Sequence, residues 1–224
     1  MFQHLFDRFA QLFTGMSDLD WLCFSLLLLA YVPYVCAVVW DPDAEPSIIS
    51  WFIWASLDVL TMFGQDKSAN LNIQIVGAAF GGCMMFLLSL RYGQMQWDKK
   101  WWWVNVLCLL GGTIALVFLL IYKDPEVSVI ISLLASICGL IPTGISAWKE
   151  PKHENRWGWL IFLFSCIAAM FAIQEWTFFR VLQQTTFLLD AVVMVTILFV
   201  RPFCLWCRKP RIPQPPDLVS VFDD

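Results

Sequence analysis

A helix needs about 20 predominantly apolar residues to cross the hydrocarbon of a bilayer, and this chain supplies such runs one after another. Seven charge-poor stretches read as spans: residues 21–40, 47–65, 72–92, 101–122, 127–147, 157–174 and 178–200. Little chain remains for a soluble domain. Hydrophobic residues make up 59% of the 224 and charged residues 14%, against roughly 25% charged in soluble domains. A water-soluble core of this size could not hide that much apolar surface. The expected fold class is all-α: a polytopic membrane protein with seven transmembrane helices.

The basic residues divide unevenly between the two sides. Arg8, Lys67, Lys123 and Arg180 fall on the side of the N-terminus, whereas the other ten, among them Arg91, Lys99, Lys100, Lys149, Arg156 and Arg201, fall on the opposite side. Because cytoplasmic loops carry the excess of Lys and Arg, this predicts a cytoplasmic C-terminus and an outside N-terminus. Residues 1–15, with Phe2, Leu5, Phe6, Phe9, Leu12 and Phe13 at helical spacing, predict an amphipathic helix lying in the interface. That segment is too polar for a secretory signal core, so no cleaved leader is expected. Residues 201–224 turn basic and then Pro-rich, as a flexible cytoplasmic tail does. Cys204 and Cys207 form a lone CxxC there, without further ligands for a metal, and the other six cysteines lie within spans as small apolar side chains.

A pattern recurs along the chain. Pro33 in the first span stands 32 residues before Gln65, and Pro142 in the fifth stands 32 before Gln174, since 65 − 33 = 174 − 142. Read as a duplication, residues 21–92 form one triple-helix bundle, 101–122 a linker helix and 127–200 a second bundle. Both triplets then enter the membrane in the same direction, a 3+1+3 parallel repeat. Pro33 and Pro142 would bend their helices and leave backbone carbonyls in need of partners, which makes them candidate hinges.

Polar groups at membrane depth nominate a site, since intramembrane acids are costly and usually face an interior. In the second span, Trp51, Asp58 and Gln65 recur at steps of seven and so share one helical face, with Trp54 close by. In the seventh, Gln183 and Asp190 share a face by the same step. No Lys or Arg lies at comparable depth. Trp51, Trp54, Asp58, Gln65, Gln174 and Asp190 are the candidate substrate-binding residues. The third span carries Gly77, Ala78, Gly81 and Gly82, which allow close helix approach. The mixed-charge loop around His153 reads as a solvated turn.

Four short motifs extend this reading: Pro33-Tyr34, Ser50-Trp51-Phe52-Ile53-Trp54, Gly139-Leu140-Ile141-Pro142-Thr143, and Ala147-Trp148 with Pro151. With them the chain resembles the PQ-loop and SWEET superfamily, and more closely a group of bacterial seven-span membrane proteins. The resemblance covers about residues 21–200. The diagnostic Pro-Gln pairs stand here as Pro33-Tyr34 and Pro142-Thr143, and the Trp51-x-x-Trp54 pair is similar to an aromatic motif of Pnu-type vitamin transporters. The resemblance implies alternating access around a central site, in a bacterial inner membrane.

The expected function is transport of a small solute, a sugar or a similar polar or aromatic metabolite. Trp51 and Trp54 would stack on a ring, while Asp58, Gln65, Gln174 and Asp190 would supply hydrogen bonds or a proton path. The alternative is a non-transporting receptor or assembly partner, as some PQ-loop relatives are. No nucleophile and base pair, phosphate loop or metal cluster is apparent in the sequence, so no enzyme and no cofactor is expected. The expected partners are the lipid bilayer and a small-molecule substrate, with homo-oligomers compatible and nucleic acid not.

Overall fold

A computed structural model describes residues 13–40, 46, 48–67, 71–93, 102–149, 151 and 154–201, without the side chains of 67, 142, 146 and 149. Most of the interfacial segment at 1–15, the 41–45 loop, Cys204, Cys207 and the Pro-rich tail lie outside the described residues. Among the described residues, seven long α-helices follow one another: α1 Asp18–Trp40, α2 Ile48–Lys67, α3 Ile73–Tyr92, α4 Trp102–Val117, α5 Pro125–Lys149, α6 Arg156–Phe171 and α7 Phe178–Val195. One π-helical turn continues α4 over Phe118–Tyr122, and another continues α7 over Thr196–Val200. Among the described residues there is no strand.

Local chemistry sets the helix starts. Ser17 and Asp20 form a reciprocal capping pair: Ser17 Oγ accepts from the Asp20 amide, and Asp20 Oδ2 accepts from the Ser17 amide at 3.0 Å. Asn72, Asn155 and Thr177 each accept backbone N–H bonds at the starts of α3, α6 and α7. Between α4 and α5 the chain reverses in two residues, with Lys123 in the left-handed region at φ 55°. Asp124 Oδ1 then caps α5 by accepting from Val127 at 3.1 Å.

Among the described residues, six helices are long and apolar enough to cross a membrane, and α6, at 16 residues, is shorter. The surface supports the same conclusion. Leu29, Phe80, Leu87, Leu110, Leu134, Phe164 and Leu189 are exposed along the helix sides, where water would oppose them and lipid would not. Exposed aromatics gather at the two ends. Trp40, Tyr92, Trp102, Trp148 and Trp157 mark one, and Trp21, Tyr122, Phe171, Trp176 and Phe178 the other, in the manner of interfacial belts. We call the first the α5–α6 end and the second the α6–α7 end, after the turns found there.

The helices pack in a ring. α1 lies along α3 and α6, α2 along α3 and α5, and α7 along α5 and α6, while α4 sits outside against α5 and α2. Following these contacts closes the circuit α1–α3–α2–α5–α7–α6. Gly77 and Gly81 permit the α1–α3 approach: a Cβ at Gly77 would meet Leu27 and Phe24, and one at Gly81 would overlap the Tyr31 ring. One core cluster joins Leu27, Ile75, Leu133, Cys166 and Phe187 from five helices, and another joins Leu140, Trp159, Met194 and Leu198. Ile53, Leu57, Val104, Cys108 and Ala135 form a third that docks α4.

One boundary differs from the expectation. The sixth span was expected over residues 157–174, but α6 ends at Phe171 and the chain turns before Thr177 caps α7. Gln174 therefore occupies an exposed bend. α1 is continuous through Pro33 from Asp18 to Trp40, and α5 is continuous through position 142.

Candidate functional site

The stripe on α2 and the stripe on α7 meet across the ring. The two helices run in opposite directions, so residues rising along one pair with residues falling along the other. Gln65 Nε2 donates to Gln183 Oε1 at 2.7 Å. Asp58 and Asp190, each seven residues farther toward the middle of its helix, come near enough to interact electrostatically. Two helical turns separate the amide layer from the acid layer, about 10 Å at 1.5 Å per residue. Both acids thus stand at mid-helix. Asp190 is buried, and its Oδ1 has no hydrogen-bond partner. Asp58 is half-buried and faces α3 where glycine clears the way: a Cβ at Gly82 would lie 3.6 Å from Asp58 Oδ2.

The amide layer includes a third residue. Asn72 Nδ2 donates to Gln65 Oε1 at 3.1 Å and also to Gln183 Oε1, while Asn72 Oδ1 caps α3. One asparagine therefore fixes the start of α3 and joins it to α2 and α7. Both glutamines are fully buried, so this bonding removes a desolvation cost of about 1–3 kcal/mol for each group that would otherwise be left unpaired. Nearby, Thr61 and Ser132 hydroxyls bond at 2.7 Å between α2 and α5.

On the other side of the acids the lining is aromatic. Trp51 packs edge-on against Tyr34 at 5.8 Å and against Trp54 at 6.3 Å, with Tyr31 tilted toward it at 6.5 Å. Trp54 continues to Trp159 at 5.9 Å, and the chain of rings passes through Phe162 to Phe187. Such edge-to-face pairs are each worth about 0.5–1.5 kcal/mol beyond their burial. The rings press against glycines from other helices. A Cβ at Gly139 would stand 2.8 Å from Trp54 Nε1, and one at Gly158 would stand 2.5 Å from the Tyr34 ring. Trp51 and Trp54 are thus inward-facing, although tryptophans near the start of a span are ordinarily interfacial anchors.

The α5–α6 turn closes this end. Glu154 Oε2 accepts from Tyr34 Oη and from Trp159 Nε1, both at 3.1 Å. Asn155 Nδ2 donates to the Pro33 carbonyl at 3.0 Å, while Asn155 Oδ1 caps α6. The loop read from sequence as a solvated turn therefore sends two side chains inward to hold α1. Its legible signal was Asn155 directly before the apolar Arg156–Phe171 run, the position of an N-cap.

Of the six candidate substrate residues, the structure brings Trp51, Trp54, Asp58, Gln65 and Asp190 into one column. Gln174 lies apart, in the α6–α7 turn. Pro33 sits beside the Asn155 latch, and the Pro142 side chain lies outside the described residues. Sequence reasoning missed Tyr31, Tyr34, Asn72, Glu154, Asn155 and Trp159 as members of the site. No protein-family model matches this chain, and neither a curated protein nor a solved structure does.

Proposed function

We propose that this protein moves a small solute across a membrane by alternating access, and that it has a SWEET-like 3+1+3 arrangement. Exchanging α1, α2 and α3 for α5, α6 and α7 carries the observed neighbours into one another: α1–α3 becomes α5–α7, α2–α3 becomes α6–α7, and α1–α6 becomes α5–α2. That correspondence supports a parallel repeat with α4 as linker.

The observation that supports the transport reading is the column of polar and aromatic side chains between the helices, with two neighbouring acids at mid-helix and a side-chain latch on either side. Gln65–Gln183 joins α2 to α7 at one level, and Tyr34–Glu154 with Asn155–Pro33 joins α1 to the α5–α6 turn at the other. Opening one latch while the other holds would expose the acids to one side at a time. Pro33 and Pro142 are the positions where α1 and α5 would bend. The ring chain of Trp51, Trp54 and Trp159 suits a planar or ring-bearing face on the solute, and the two carboxyls suit its hydroxyl or amino donors.

The test is uptake by proteoliposomes of a panel of labelled sugars, aromatic vitamins and amines. Solute accumulation by the wild-type chain that falls at least tenfold in Asp58→Asn and Asp190→Asn is the expected result. Uptake unchanged by both substitutions would remove the acids from the mechanism.

A further inference from the structure

A second polar site lies at the α6–α7 end, apart from the column of acids and rings. There α1, α3 and α7 begin and the α6–α7 turn crosses, leaving a cleft of about 190 Å³. Asp20, Asn72, Gln74, Gln174, Arg180 and Gln184 contribute its polar lining. Three of their atoms are buried without a hydrogen-bond partner: Gln74 Oε1, Gln184 Oε1 and Arg180 Nε. Gln74 is 1% exposed and Gln184 4%, so both side chains are almost wholly withdrawn from the outer surface. Each unpaired buried polar group costs about 1–3 kcal/mol. Three around one cleft mark a place where a ligand supplies what the protein lacks.

The unpaired atoms specify that ligand. The two amide oxygens need donors, and Asp20 adds a carboxylate of which only Oδ2 is taken, by the Ser17 amide and hydroxyl. Together they match an ammonium group, with three N–H donors and a positive charge. Arg180 needs an acceptor. Its Nη1 reaches Glu175 at 3.6 Å, which leaves the Nε edge for an anion, and guanidinium edges bind carboxylates well. Arg180 and Gln184 are one turn apart on α7, so they line the same cleft.

We propose that this cleft binds a small zwitterion, an ammonium and an oxyanion a few bonds apart, with the ammonium at Asp20, Gln74 and Gln184 and the oxyanion at Arg180. A free amino acid and the headgroup of phosphatidylethanolamine share that chemistry. The site does not depend on the transport reading, because binding is measured without transport.

The experiment uses the full chain in lipid-free detergent, with labelled L-serine as probe and ethanolamine and glycerate as half-ligands lacking the carboxylate or the ammonium. Serine should bind and each half-ligand at least tenfold more weakly, which assigns a free zwitterion. If serine does not bind but phosphatidylethanolamine in phosphatidylcholine nanodiscs does, and Arg180→Gln weakens it, the headgroup is the occupant. Losing one charge-assisted contact in Arg180→Gln should weaken binding about tenfold to a hundredfold. Gln184→Met removes an unpaired buried amide, so it should lose affinity at least tenfold while melting no lower than wild type. That pairing separates a ligand site from a structural one. Absence of binding by both serine and the headgroup would overturn the proposal, as would affinity unchanged in both variants.

Discussion

At the residue scale, Gln65 shows how the column is held. It joins Gln183 and Asn72 in a layer where each amide bonds another. Gln65→Leu removes two bonds of the layer and leaves buried Gln183 held by Asn72 alone, which should cost about 1–3 kcal/mol and lower the melting temperature in detergent. Gln65→Leu with Gln183→Leu removes both partners and should recover part of that loss, read as a double-mutant cycle. An additive double variant would mean that the pair does not couple. Glu154 makes a second residue-scale prediction. Glu154→Gln keeps one oxygen acceptor for Tyr34 and Trp159 but removes the charge, whereas Glu154→Leu removes both bonds. The leucine variant should therefore lose at least tenfold more uptake than the glutamine variant. Equal uptake in the two would show that the latch bonds do not matter to transport. These residues also show the limit of sequence reading. The steps of seven put Asp58 with Gln65 and Gln183 with Asp190, because helical period follows from spacing alone. That one stripe faces the other depends on packing between helices 118 residues apart in sequence, the separation of Gln65 and Gln183, and no local pattern carries it.

At the element scale, helix positions were legible and loop contents were not. Long apolar runs fix where helices must lie, and α3 begins one residue from the expected boundary, after its Asn72 cap. Gln174 lies away from the column for a related reason. An equal offset from Pro33 and Pro142 places equivalent residues only while the helices that follow have equal length, and α2 has 20 residues where α6 has 16. The same count that reaches buried Gln65 overshoots α6 and ends in a bend. Close helix packing gives an element-scale prediction. Gly81 is where α3 meets the Tyr31 ring of α1, and Tyr31 Oη bonds the Ala78 carbonyl at 3.3 Å. Gly81→Ala should force that ring aside at about 1–3 kcal/mol, lowering the melting temperature. Gly144→Ala, where a Cβ would meet only Ile197 at 3.7 Å, should change it little. Equal shifts in the two variants would show that the Gly81 contact is not the tight one.

At the scale of the whole molecule, both latches are closed, so the column is bonded shut at two levels, from α2 to α7 and from α1 to the α5–α6 turn. An alternating-access cycle requires each to open in turn while the ring of six helices stays together. In the proposed cycle the motion would concentrate along α1–α6 and α2–α5, where the two proposed triplets would meet. Ser165 Oγ donates to the Cys23 carbonyl at 2.9 Å, tying α1 to α6 near the α6–α7 end, while Asn155 ties them at the opposite end. α1 can thus pivot against α6 only by releasing one of the two. Joining Gln65→Cys to Gln183→Cys with a short bifunctional thiol reagent, in a background lacking the eight native cysteines, should stop uptake and leave the fold intact. Linking Tyr34→Cys to Glu154→Cys should do the same from the other end. Uptake that survives either cross-link would mean that this latch does not open in the cycle. Uptake that survives both would remove rocking of the triplets as the mechanism.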